Sequence, residues 1–203
     1  MPTAAAERPR AGEPESLLTT ANRLMDQNPG YCVEIIGGII TVAPLADARH
    51  AKVLTDVMVH LFAAGLDGEE TDVLQKIGVW LPGGPEDFAI PDLSVVDADL
   101  DEHLIENNCY DPAVFRLVLE VTSSNYRSDL RNKVVAYAEA KIPVYVIVDR
   151  KHGRLHVLTE PMGGGYDSHE VYAPGQTVTL PESIGAPVTL DVDELVRAGR
   201  PHA

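Results

Sequence analysis

The chain has two cysteines in 203 residues, Cys32 and Cys109, and no Cys-x-x-Cys pair. That excludes a disulfide framework and a thiolate zinc site, and both thiols are expected to be reduced and partly buried. No apolar run approaches the roughly 20 residues of a membrane helix. The opening Met-Pro-Thr-Ala-Ala-Ala-Glu-Arg-Pro-Arg lacks an apolar signal region, so a cytoplasmic protein is expected. Basic residues are scarce: 16 Lys and Arg stand against 31 Asp and Glu, a formal net charge of -15. Broad adhesion to nucleic acid needs cationic surface and is therefore excluded, whereas a local basic patch or contact through a metal is not. No Gly-x-Ser-x-Gly elbow surrounds Ser123 and Ser124, which read as loop residues.

What the chain does have is apolar sequence. Hydrophobic residues make up 45%, enough for a globular core. The length suits one domain, over residues 16–203, after an Ala, Pro, Glu and Arg-rich tail at 1–15 that is expected to lack order. A short helix is expected over 17–26. Two β-branched runs, 32–36 and 39–42, flank Gly37-Gly38 and predict a tight hairpin. Asp47 is placed to cap a helix ending near Gly65. Strands are predicted over 73–81, 89–96 and 114–121, with an acidic irregular stretch at 97–112. Ser128 or Asp129 would cap a helix through Ala140, and the wholly apolar 142–148 predicts a central strand. Segments 154–159, 169–172 and 177–180 read as a β-meander, and 191–198 as a closing helix. The class is α/β (α+β), its middle running helix, three strands, helix, strand, with the N-terminal hairpin before it and the meander after.

Two acids stand out within runs that otherwise read as buried strand: Asp92 in Ile-Pro-Asp-Leu-Ser-Val-Val-Asp and Glu120 in Phe-Arg-Leu-Val-Leu-Glu-Val. A carboxylate in such a place is costly unless a cation, hydrogen bonds or a metal compensates it. Two of them on neighbouring strands are candidate ligands for one divalent metal.

That order of elements and acids resembles the core of the PD-(D/E)XK nuclease superfamily. Pro91-Asp92 matches the first half of its signature, and Glu120-Val121-Thr122 the second half with Thr122 where lysine is usual. Over about residues 30–195 the chain is more narrowly similar to the Uma-two family of restriction-endonuclease-like proteins. The residues that carry this are Glu34 with Gly37-Gly38, His50, Pro91-Asp92, Glu120-Val121-Thr122-Ser123, Asp129 with Lys133, Tyr137, and Ile142 to Asp149. The chain departs from the family with Thr122-Ser123-Ser124 and Val144-Tyr145-Val146.

The resemblance implies a restriction-endonuclease-like core and a magnesium- or manganese-dependent cleavage of DNA. Asp92, Glu120 and the Val121 carbonyl would hold the metal, since magnesium takes one or two carboxylates plus waters and substrate oxygens. It moves the lysine onto the helix as Lys133, which would orient water or meet charge on the phosphate. Glu34 would be a further acid, contacting the metal through water or holding Lys133. A homodimer is expected because duplex cleavage takes two cuts, with the meander over 154–180 as the expected interface.

Each residue also has a structural reading. Asp92 would cap a strand or accept backbone hydrogen bonds, Glu120 would pair with Arg116 or Arg131, Lys133 would pair with Asp129 on the surface, Glu34 would be a solvated hairpin residue, and His50 would either support a site residue from behind or lie on the helix surface. Tyr126 and Arg127 belong to a solvated loop or touch a substrate backbone. At the level of function the alternatives are a non-catalytic interaction or regulatory module of the same fold, and a β-rich ligand-binding barrel.

Overall fold

The computed structural model describes residues 15–122 and 131–199. The expected tail, apart from residue 15, and the helix cap at Ser128 or Asp129 lie outside the described residues, as do Ser123, Ser124, Tyr126 and Arg127.

Helix α1 (Leu17–Gln27) is capped by Ser16, whose hydroxyl accepts from the Thr19 N–H. Strands β1 (Cys32–Ile36) and β2 (Ile39–Ala43) then form the predicted hairpin. Gly37 and Gly38 both take left-handed backbone angles, φ +60° and +72°, the pair that a primed two-residue turn requires. The buried Asp87 clamps this turn, accepting from Gly37 N–H at 2.7 Å and Gly38 N–H at 3.0 Å. Helix α2 (Ala48–Ala63) starts at Asp47, whose carboxylate accepts from the N–H groups of Arg49 and His50. It buries Val53, Leu54, Val57 and Leu61 along one face, and His50 with them.

The central sheet has six strands in the order β12 (Gly165–Tyr172), β11 (Arg154–Met162), β10 (Val144–Asp149), β9 (Phe115–Val121), β6 (Leu93–Asp97) and β3 (Thr71–Leu74). Strands β9 and β10 run parallel and helix α3 (Lys133–Glu139) lies between them in sequence; the other neighbours are antiparallel. A second sheet runs β2, β1, β5 (Phe88–Ala89), β4 (Gly78–Trp80), β8 (Cys109–Tyr110) and β7 (Leu104–Glu106). A two-stranded ribbon, β13 (Thr177–Leu180) with β14 (Val188–Asp191), and helix α4 (Val192–Ala198) complete the fold. The architecture is the expected mixed α/β layer. The helices of α2 and α3 displace the barrel reading.

The central sheet is covered on both faces. On one, Leu117, Leu119 and Val146 pack with α2, α4 and the ribbon. On the other, Val118, Tyr145 and Ile147 pack with Ala136 and Tyr137 of α3 and with Val79 of the second sheet. Strand alternation therefore sends Glu120, two residues beyond Val118, toward α3. Among the described residues no helix is long and apolar enough to cross a membrane.

Four sequence expectations are corrected. The run 73–81 is two strands, β3 and β4, in different sheets, with Lys76 between them at φ +56°. The run 89–96 likewise breaks into β5 and β6 around Pro91, which has no N–H to continue a ladder. Asp92 thus lies in the link between two sheets, where its side chain escapes strand alternation. The stretch 97–112 contains β7 and β8, joined through Asn107 and Asn108 in left-handed conformation. The meander keeps β11 and β12, but β13 leaves it to pair with β14, a strand the sequence reading missed.

Gly78 is needed where β4 meets β8. A Cβ there would sit 2.5 Å from Cys109 Sγ and 2.9 Å from the Asn108 carbonyl oxygen. Gly78→Ala is expected to cost about 1–3 kcal/mol of stability through this overpacking, read by urea denaturation. An unchanged midpoint would mean that the two strands can slide apart freely.

Candidate active site

The ends of β9 and β1, the link before β6, the start of α2 and the start of α3 converge on one cleft of about 570 Å3. Asp92, Glu120, Val121, Lys133 and Glu34 all line it. His50 lines it too, as does Lys76, which the sequence did not single out.

Asp92 is buried and its two oxygens have different jobs. Oδ2 accepts from the Val121 N–H at 2.8 Å and lies 2.8 Å from His50 Nε2. An ionised carboxylate only accepts, so Nε2 carries the proton; Nδ1 is buried with no partner among the described residues. Oδ1 meets the Lys76 ammonium at 2.5 Å. Burial alone would raise the Asp92 pKa, but His50 and Lys76 outweigh it and hold the carboxyl down at about 2. In turn burial disfavours the Lys76 ammonium, yet the neighbouring Asp92 overcomes this and keeps the lysine above its ordinary value.

Glu120 belongs to a second cluster beside the first. Its Oε1 accepts from Lys133 Nζ at 2.7 Å and from Tyr137 OH at 2.9 Å. Lys133 also reaches Glu34 Oε1 at 2.9 Å, and Glu34 Oε1 accepts from the Ile90 N–H at 2.7 Å. Lys133 is only 5% exposed. It and Tyr137 stand four apart on α3, one helical turn, so both face Glu120. Tyr137 is fully buried with its ring edge on Tyr145, centroids 5.0 Å apart.

Several structural readings fall here. Lys133 is a buried bridge between two acids rather than a surface residue; Asp129 lies outside the described residues. Glu34 is buried, not solvated. Arg116 pairs with Asp97 at 2.5 Å. His50 is buried against Asp92. Thr122, where lysine is usual, is buried on the β10 side: its N–H donates to Val148 O and its hydroxyl accepts from Arg150 N–H. It ties two strand ends together. Asp149, which closes the family motif, caps the turn after β10 by accepting from Lys151 and His152 N–H.

The electrostatics of the cleft differ from those of the whole chain. Its lining includes Arg49, Lys76, Lys133, Arg150 and Lys151, five of the chain's 16 Lys and Arg, against four of its 31 Asp and Glu (Glu34, Asp47, Asp92, Glu120). A protein of net charge -15 thus keeps its cleft slightly positive. On the rim Arg150 holds Asp47 at 2.9 Å. Cys32, in the lining, has its thiol pushed up to about 12 by burial and then by Glu34, so it is no nucleophile.

Among the described residues no three His, Cys, Asp or Glu side chains stand together as a group able to hold a metal ion. Two carboxylates facing one open cleft suit magnesium or manganese, which keep several waters and bind few protein oxygens.

A mixed sheet with a parallel β9–α3–β10 unit and acids gathered at the strand ends defines a restriction-endonuclease-like fold. A family model, Uma2, described as "Putative restriction endonuclease", matches residues 18–193, and the chain belongs to that family. A crystal structure from Anabaena variabilis, described as a "putative nuclease belonging to DUF820", is similar with a TM-score of 0.60 and 13% identity, covering 83% of this chain and 92% of that one. At that identity the likeness speaks for the fold. No curated protein matches the sequence.

Proposed function

We propose that the chain is a magnesium- or manganese-dependent endonuclease that hydrolyses DNA phosphodiester bonds. The observation that carries this is that Asp92 and Glu120, 28 positions apart in the sequence, line one cleft that also collects five of the chain's 16 Lys and Arg. Asp92 and Glu120 would be the metal ligands. The Val121 carbonyl would be a third, because in an extended strand N–H and C=O leave on the same side and the Val121 N–H is bonded to Asp92. The bound cation would neutralise the phosphate and acidify a water.

The protein's own groups do the rest. His50 and the Val121 N–H hold Asp92 in one orientation. Lys133 and Tyr137 do the same for Glu120, and Glu34 anchors Lys133 against the Ile90 backbone. Lys133 presents positive charge where the phosphate gains negative charge. Arg49, Arg150 and Lys151 on the lining offer contacts to flanking phosphates of DNA. The free thiols agree with a cytoplasmic setting. A homodimer belongs to the same reading, because two active sites match the two strands, and sedimentation analysis giving a monomer at working concentration would remove it.

A second reading has its own support: each of the three acids already meets a lysine inside the protein. In that reading the site is a structural ion network and the chain an interaction or regulatory module. Manganese titration by calorimetry followed by plasmid cleavage, on wild type and Glu120→Gln, separates the two. The nuclease reading expects binding and cleavage in wild type, with both lost in the variant. A folded wild type that neither binds the cation nor cuts would leave the module.

A further inference from the structure

Lys76 is the one residue of the cleft with an unexplained position. It sits between β3 in the central sheet and β4 in the second sheet, in a left-handed conformation (φ +56°) that favours glycine or asparagine. That backbone turn delivers its ammonium to Oδ1 of Asp92 at 2.5 Å. Asp92 does not need it for orientation, because the scaffold grips Oδ2 twice, through His50 and the Val121 N–H. Oδ1 is therefore the oxygen left for a cation, and the ammonium stands where that cation would bind.

The two lysines of the cleft also differ in freedom. Lys133 is 6% exposed in its side chain and bridges two buried acids from the first turn of a helix. Lys76 is 46% exposed in its side chain while Asp92 beneath it is 5% exposed. A side chain that is about half exposed and stands on a turn can swing from its partner into water at modest cost.

Charge balance points the same way. Within the inner group Glu34, Asp92 and Glu120 carry three negative charges and Lys76 and Lys133 return two, while Arg49, Arg150 and Lys151, less Asp47, bring the whole lining to a net +1. A divalent cation would add two positive charges, which a phosphodiester would partly offset. The ammonium released from Asp92 and the phosphate thus arrive in the same cleft with opposite signs.

We propose that Lys76 is the resting counter-ion of Asp92, displaced from Oδ1 by the divalent cation and transferred to the substrate phosphate. The proposal rests on the metal-dependent reading above and assigns it a built-in coupling: the cation is admitted as the lysine is freed to hold substrate. Without substrate, the lysine competes with the metal.

The test is manganese calorimetry on the full chain as wild type, Lys76→Met and Lys76→Arg, with circular-dichroism melts to verify folding. Methionine keeps the length of the side chain and removes its charge. Lys76→Met is expected to bind manganese about tenfold more tightly than wild type, as loss of a cation beside a carboxylate implies. Lys76→Arg is expected to bind as wild type does. Plasmid cleavage at saturating manganese is expected to fall about 100-fold in Lys76→Met despite the tighter metal. Equal or weaker manganese binding by folded Lys76→Met, with wild type binding, overturns the displacement alone. Undiminished cleavage overturns the transfer to phosphate. If neither wild type nor Lys76→Met binds manganese, the metal reading itself falls, and the counter-ion role with it.

Discussion

Lys133→Met is expected to lower the unfolding free energy by about 3–5 kcal/mol, the cost of leaving buried charges without their partner. The lysine is 5% exposed, and its ammonium lies 2.7 Å from Glu120 and 2.9 Å from Glu34. Both acids are also buried. Without Lys133 two carboxylates remain buried in the cleft wall, at 4% and 6% exposure. The hydrogen bonds from Tyr137 and the Ile90 N–H each replace only part of what is lost, at about 1.5–3 kcal/mol for a bond to a charged group. The measurement is urea denaturation at neutral pH. A second variant isolates the cause: adding Glu120→Gln to Lys133→Met removes one stranded charge and is expected to recover about 1–3 kcal/mol. A loss under 1 kcal/mol in the single variant, or no recovery in the double, would mean the ammonium is not buried between these acids. The size of the effect also matters for reading kinetics. Loss of cleavage in a Lys133 variant is informative only at a temperature where that variant is folded.

Asp92→Asn is expected to lower the proposed cleavage by roughly 100-fold or more, because the proposed ligand to the cation would be lost and metal charge stabilisation is worth several kcal/mol. Its stability cost is smaller than that of Lys133→Met, about 2 kcal/mol at neutral pH. The reason is exposure: Lys76, released from its partner, moves into water, whereas nothing stranded by Lys133→Met can. The pH dependence follows from the low pKa. The Asp92 carboxyl lies at about 2 in the folded protein, below its ordinary 3.8. A depressed carboxyl stabilises the fold above the ordinary value, and that contribution is lost as pH falls from 3.8 toward 2. The stability gap between wild type and Asp92→Asn should therefore be widest near pH 7 and close as the solution is acidified to pH 3 and below. Denaturant midpoints at several acid pH values measure it. A gap that stays constant or widens toward acid would show that His50 and Lys76 do not hold the carboxylate charged. Cleavage undiminished in folded Asp92→Asn would remove Asp92 from the chemistry.

Much of the fold and part of the site were legible from residue order. Apolar periodicity placed α2, Gly37-Gly38 placed the hairpin, and the unbroken apolar run at 142–148 placed β10 at the centre of its sheet. Asp92, Glu120, Lys133 and Glu34 stood out as acids in apolar runs or through family resemblance, and all four line one cleft. Lys76 and the partnership of His50 with Asp92 were not legible. Lys76 lies 16 positions from Asp92 and His50 lies 42, and local pattern carries no information about contacts at such separations. The breaks at 75–77 and 90–92 were hidden for a related reason: a chain passing from one sheet to another keeps its hydrophobic character, because it stays buried throughout. Asp87, clamping the Gly37-Gly38 turn, looked like any acid in a turn-rich stretch.

Local chemistry by itself thus determined which segments are helix or strand and which carboxylates are too apolar in setting to go without a compensating partner. Those properties depend on each residue and its near neighbours. Only the tertiary structure decided which cation answers each acid and which oxygen of Asp92 is left facing the cleft. It also decided that a chain of net charge -15 keeps a basic surface there. Ion pairing and burial are distances in space, and those distances come into being when the two sheets close over α3.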